Sequence, residues 1–291
     1  MLKHSVPTSS ALALTLAMAG ALLVGCASPT RDETPRRPGA ADPFQHVHGL
    51  ALDEGDVIVA THGGIYRVSP TGATRGPTGG LDIDTMGFTR SGDTTYASGH
   101  PGPETSPALG TSSLGLIRST DLGRSWDTVS LRDRADFHAL AARPVEGDQD
   151  RVVGLAAGRS RIMRSADGGS TWSDGAELTA RDLLYAGTTL LATTEDGLAI
   201  STDDGRSFTI DTAAPRLYLL ASGPEDQPLG VDTDGTIWSM TAPETWTRGG
   251  STSGTTEAIT SDGLTTVVVD ARGISETTDL GTTWTTRRPR S

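Results

Sequence analysis

Five of the six histidines in the chain lie between residues 46 and 138. His46 and His48, in the string HVHGLA, are two apart. On a β-strand that spacing puts both on one side, where they can chelate a single ion. His62 (ATHGG) and His100 (ASGHPG) stand among Gly63, Gly64, Gly99 and Pro101, residues that build tight loops. His138 (DFHAL) follows Asp136 by two residues. Asp84 and Asp136 are carboxylates placed to ligate an ion or to orient imidazoles that do. Cys26 is the only cysteine, which removes disulfides and thiolate metal sites from the folded part. An imidazole and carboxylate donor set without thiols suits Zn²⁺ or Cu²⁺.

A repeat positions these residues. The phrase Ser-x-Asp-x-Gly-x-x-aromatic occurs at Ser119–Trp126, Ser165–Trp172 and Ser201–Phe208, and with threonine leading at Thr277–Trp284. Its aspartates are Asp121, Asp167, Asp203 and Asp279. The last interval is about twice the others, which predicts a worn copy between them. Ser239–Trp246 sits there, without the Asp and Gly. A fainter copy spans Gly64–Gly72. A period near about 40 residues with β-type content between copies indicates a propeller, here all-β with six blades of four short strands.

With the copies as anchors, the blades fall at about 45–80, 83–131, 136–177, 180–212, 215–248 and 255–287. Their first strands are His48–Leu52, Met86–Phe88, Phe137–Leu140, Leu183–Tyr185, Leu217–Leu220 and Ala258–Ile259. Antiparallel connectivity puts the loop into a first strand and the loop between second and third strands on one face of the ring. All five histidines occupy such loops in blades 1–3, so they are expected to converge on one mouth. At least three imidazoles are expected to meet in one coordination sphere. Arg181, Arg216, Glu257 and Arg272 are the candidate ligand-binding groups across that mouth, with Asp84 and Asp136. The repeated turn falls on the opposite face. Because the chain enters on an inner strand and leaves on an outer one, the ring is expected to close by side-chain packing.

The repeated turn resembles the Asp-box of BNR-repeat propellers, a family that includes sialidases, sortilin-type receptors and a photosystem assembly factor. In that family the box joins the third and fourth strands of a blade, on the face opposite the binding site. The blocks HVHGLA, ATHGGIY, MGF, ASGHPG, LGLIRSTDLGRSW and DFHAL resemble an uncharacterised group of bacterial secreted BNR proteins, labelled sialidase-like or glycosyl hydrolase. The resemblance implies a structural role for Asp121, Asp167, Asp203 and Asp279. It also supplies the alternative to a metal or ligand binder, a sialidase-like glycoside hydrolase acting at the same mouth. Such an enzyme sets three arginines on the substrate carboxylate, for which Arg181, Arg216 and Arg272 are available, and a tyrosine nucleophile, for which Tyr185 or Tyr218 is. Its early Arg-Ile-Pro string is absent, Tyr66-Arg67-Val68 being the nearest. Resemblance of fold does not carry function.

The chain begins with a secretory pattern. Ala11–Val24 is apolar or small apart from Thr15, too short to span a bilayer comfortably. It runs into Leu23-Val24-Gly25-Cys26, which resembles the bacterial lipobox. Residues 1–25 are therefore expected to be a lipoprotein signal peptide, with Cys26 lipidated and anchoring the protein on the outer side of a bacterial membrane. Residues 26–43, with four prolines after Cys26, read as a flexible tether, and 44–291 as the propeller. The formal net charge is −12, and the only lysine, Lys3, leaves with the leader. Such a surface repels nucleic acid, which excludes it as a partner. A monomer is expected.

Overall fold

The computed structural model describes residues 42–147, 149–242 and 245–290. Cys26, the leader and most of the tether lie outside the described residues. Blade 1 is β1 (Val47–Asp53), β2 (Asp56–Thr61), β3 (Gly64–Val68) and β4 (Thr74–Arg75). Blade 2 is β5 (Asp84–Ser91), β6 (Thr94–His100), β7 (Leu116–Ser119) and β8 (Asp127–Ser130). Blade 3 is β9 (Phe137–Arg143), β10 (Arg151–Ala156), β11 (Arg161–Ser165) and β12 (Ser173–Glu177). Blade 4 is β13 (Asp182–Ala186), β14 (Thr189–Thr194), β15 (Gly197–Ser201) and β16 (Thr209–Ile210). Blade 5 is β17 (Leu217–Ser222), β18 (Pro228–Asp232), β19 (Thr236–Ala242) and β20 (Thr245–Ser251). Blade 6 is β21 (Ala258–Ser261), β22 (Thr266–Asp270), β23 (Gly273–Thr277) and β24 (Thr285–Pro289). Each sheet consists of four consecutive strands in chain order, all antiparallel, so the fold is a six-bladed propeller. Among the described residues the only helical turns are two of 3₁₀ type, and no helix is long and apolar enough to cross a membrane.

The second strands show why the sequence folds this way. Val57, Ile58, Val59 and Ala60 are all buried, as are Thr266–Asp270 of β22. A strand covered on both faces by neighbouring blades reads as a continuous apolar run instead of alternating. Burying each Val or Ile contributes about 1.5–3 kcal/mol relative to exposure. The fourth strands are polar and mostly exposed, as β8 and β12 show.

No strand is exchanged between the two ends of the chain. Val57, Val59 and Val68 of blade 1 pack instead against Val267, Val269 and Ile274 of blade 6. Arginines of β24 and just beyond it fasten the seam. Arg287 Nη1 donates to the Gly55 carbonyl at 2.6 Å, and Arg288 Nε donates to Thr74 Oγ1 at 3.1 Å while its guanidinium covers the Phe44 ring.

The four box turns are near copies of one network. In blade 2, Ser119 Oγ donates to Asp121 Oδ1 at 2.7 Å and accepts from the Gly123 amide at 2.8 Å. Asp121 Oδ1 also accepts from the Ser125 amide at 2.9 Å. The same bonds recur around Asp167, Asp203 and Asp279. The box glycine has a positive φ and faces the third strand of the preceding blade. A Cβ on Gly169 would stand 2.0 Å from Leu116 Cδ2, with φ at +87°. Blade 5 lacks the turn, and its third and fourth strands extend into a long hairpin that pairs Ala242 with Thr245.

Candidate metal and ligand site at the mouth

A bulge repeated in the innermost strands shapes the mouth. Between Val47 and Gly49, β1 advances two residues while β2 advances one, so His48 is the extra residue. Met86 is the extra residue in β5, His138 in β9 and Tyr218 in β17. Bulges re-aim side chains and are common beside functional sites. Blades 4 and 6 pair their first two strands without the shift. In blades 1 and 2 the residue after the bulge is a glycine, because the next blade presses on it. A Cβ on Gly49 would meet Phe88 Cβ at 2.9 Å, and one on Gly87 would meet the Phe137 carbonyl at 2.5 Å. The inner strands of blades 1–3 therefore approach one another closely at the level of His48, Met86 and His138. All three residues line a central channel of about 480 Å³.

The imidazoles divide into two groups. In the first, the His48 and His62 rings stack with centroids 4.6 Å apart, and His46 stacks on His62 at 4.9 Å. His62 Nε2 is 3.8 Å from Asp84 Oδ1. His48, His62 and Asp84 each offer a ligand atom, and these three atoms lie within 4.8 Å of one another. The set is thus two imidazoles and one carboxylate, where three imidazoles were expected. His46 precedes β1 and is exposed. The strand alternation that would align it with His48 does not carry across the bulge.

Two atoms of this set are conspicuous. His48 Nε2 and Asp84 Oδ1 are buried without a hydrogen-bond partner. Burial, then His62 and the other nearby positive groups, pushes the His48 pKa down to about 4, so the ring is neutral at pH 7 with a lone pair to give. Burial pushes the Asp84 carboxyl up, opposed by His62 and His100 and reinforced by Asp136. A cation between them would supply both missing partners.

In the second group, Asp136 Oδ2 accepts from His138 Nε2 at 2.8 Å and lies 3.2 Å from His100 Nε2. The hydrogen bond to Asp136 holds the His138 pKa above its ordinary value. His100 Nδ1 donates to the Ser112 carbonyl at 2.9 Å. Both nitrogens of His100 thus face groups of the fold. Ser112 is fixed in turn by Asp133, whose Oδ1 accepts the Thr111 and Ser112 amides at 2.7 Å each.

The candidate groups across the mouth are held separately. The Arg181 guanidinium lies over the Tyr218 ring at 5.0 Å. Arg216 Nη1 donates to the Glu195 carbonyl at 2.7 Å. Arg272 is paired with Asp270 and stacked over Trp284 at 4.2 Å. Glu257 accepts from the Val47 amide and pairs with Arg290. Three arginines with three different holders do not form one carboxylate clamp. Asp182, a further charged group at the mouth, is likewise held within the fold: its Oδ2 accepts the Leu220 amide at 2.8 Å and ties blade 4 to blade 5. Burial pushes its pKa up to about 6. Sequence reading did not place Met86 at the mouth, because a bulge in a strand leaves no signal in a single sequence.

No protein-family model matches the chain, and no curated protein matches it by sequence. Solved structures do resemble it. A chain of a nidogen/laminin complex is 15% identical, with a TM-score of 0.58 over 77% of this chain and 89% of that one. The GH74 xyloglucanase of Xanthomonas campestris is 16% identical, with a TM-score of 0.53 over 82% of this chain and 45% of its own. PorZ, a surface component of the type-IX secretion system of Porphyromonas gingivalis, is 12% identical, with a TM-score of 0.54 over 84% of this chain and 32% of its own. The chain thus spans less than half the length of the latter two. At such identities the likeness is one of propeller fold, shared with glycoside hydrolase propellers among others.

Proposed function

We propose that this protein is a lipid-anchored, extracytoplasmic Asp-box propeller that binds a transition metal ion at its mouth through His48, His62 and Asp84. The observation that carries the reading is that His48, His62 and Asp84 bring ligand atoms within 4.8 Å of one another while His48 Nε2 and Asp84 Oδ1 are buried without a hydrogen bond. Buried polar atoms are ordinarily satisfied, and the exceptions call for an explanation. Two imidazoles and a carboxylate suit Zn²⁺ or Cu²⁺ and leave coordination positions open to a further ligand. A glycosidase at the same mouth would need a carboxyl pair free for acid and base work. Asp182 and Glu257 instead have both oxygens engaged within the fold, which favours the ion.

The test is titration of the metal-stripped protein with Zn²⁺ and Cu²⁺, read by calorimetry and by melting temperature. An ion at about 100 times its Kd should add about 2.7 kcal/mol of stability. His48→Ala should weaken binding by roughly 100-fold or more, since it removes a ligand from the set of three. A melting temperature that ignores both ions refutes the reading. For the anchor, Cys26→Ser should move the protein out of the membrane fraction or leave it as precursor. Processing and membrane retention like those of the wild type would rule the anchor out.

A further inference from the structure

The three bulge residues of blades 1–3 are His48, Met86 and His138, two nitrogen donors flanking a thioether. They occupy the same place in successive inner strands and line the same channel, with Gly49 and Gly87 letting those strands close together. The geometry points to a second ligand set, His48, Met86 and His138, that takes monovalent copper. Thioether sulfur is a soft donor that selects Cu(I) over hard or borderline divalent ions.

The state of His138 fits the assignment. Its Nε2 donates to Asp136 at 2.8 Å, which leaves Nδ1 as the nitrogen with a lone pair. A carboxylate behind an imidazole is the usual arrangement for a metal-ligating histidine, fixing the tautomer and the ring plane. Asp136 is then a positioning residue. His48 brings the buried, unpartnered Nε2. The assignment rests on the preceding reading only in sharing His48. The divalent set adds His62 and Asp84 from the loop side, whereas the soft set adds Met86 and His138 from the channel side.

The experiment uses the full chain carrying Cys26→Ser, so that no thiol competes, and measures two ions separately. Cu(I) is presented under ascorbate without oxygen against a chromophoric chelator, and Zn²⁺ is titrated by calorimetry. Met86→Leu, a swap that conserves volume, should weaken Cu(I) by roughly tenfold or more and leave Zn²⁺ within about twofold. His138→Gln should behave alike, and Asp136→Asn should cost Cu(I) about 10–100-fold. His62→Gln and Asp84→Asn should do the reverse, losing Zn²⁺ and keeping Cu(I). X-ray absorption of the Cu(I) form should show a sulfur neighbour that vanishes in Met86→Leu. Cu(I) affinity unchanged in Met86→Leu, or no Cu(I) binding by the parent chain, overturns the assignment while leaving the Zn²⁺ result to judge the other reading. Absent Zn²⁺ binding with Cu(I) binding that depends on Met86 would sink the divalent set alone.

Discussion

The two faces of the ring use aspartate in opposite ways. At the boxes, Asp203 and Asp279 accept short bonds from a nearby amide and hydroxyls, and these push their pKa down to about 2. At the mouth, Asp84 is pushed up by burial and keeps Oδ1 without a partner. Asp136 has one oxygen shared between two imidazoles and the other buried without a hydrogen bond. The carboxylate of each box Asp has both oxygens answered inside its own turn. At the mouth, by contrast, His48 Nε2, Asp84 Oδ1 and Asp136 Oδ1 are left without a hydrogen bond while the strands beside them are packed tightly. The difference lies in local geometry. The box Asp sits in a turn that aims amides at it, whereas Asp84 enters a strand whose own amides are committed to the ladder.

If that contrast is right, damage to the two faces should separate cleanly, with stability lost at one and ligation at the other. The largest expected effect is at a box glycine. In Gly169→Val the side chain must occupy space held by Leu116 Cδ2, on a backbone with φ at +87°. Backbone strain and overpacking together should cost about 3–5 kcal/mol and lower Tm by roughly 10 °C. Metal affinity of the fraction still folded should stay within about twofold of wild type. A tenfold change in that affinity would mean the faces are coupled and would break the comparison.

A smaller effect is expected on pH. Carboxylates with depressed folded pKa values stabilise the fold above their unfolded value near about 3.9, and that contribution is lost as pH falls through the folded one. With Asp203 and Asp279 at about 2, acid unfolding should set in below pH 4 and be steep toward pH 2. Asp203→Ala should lower Tm at neutral pH by roughly 5 °C and shrink to a negligible difference near pH 2. Thermal melts of both proteins across that range check it. A Tm difference that does not narrow with acid would show that the box charge plays no part.

The architecture was legible because its signal repeats. Four copies of one phrase fix the third-to-fourth-strand turn, and their spacing fixes the blade number, even though the fifth copy has become a plain hairpin at Ala242–Thr245. The gathering of histidines at one mouth followed from strand connectivity alone. What stayed hidden was which atoms meet. The pairing of His46 with His48 assumed unbroken alternation, and one inserted residue at His48 undoes that. The scattering of Arg181, Arg216 and Arg272 onto Tyr218, Glu195 and Asp270 depends on contacts between loops far apart in sequence. The place of Met86 on the channel wall likewise follows from a bulge that a single sequence does not announce.

The smallest effect gives the finest test of the mouth, and it concerns His46. This exposed residue lies outside β1 and stacks on His62 at 4.9 Å. It belongs to neither the set of His48, His62 and Asp84 nor the bulge positions. Removing a ligand costs orders of magnitude in affinity, whereas removing a ring that only rests against a ligand costs part of one contact. His46→Ala should therefore weaken Zn²⁺ by less than about threefold, in line with a stacking contribution of about 0.5–1.5 kcal/mol of which only a part reaches the bound ion. Because His46 is one of the positive neighbours that push the His48 pKa down, its loss also eases protonation of His48, a small change in the same direction. Calorimetry on His46→Ala and His62→Ala side by side decides the matter. A loss at His46 as large as at His62 would put His46 on the ion and show that the bulge does not separate it from His48.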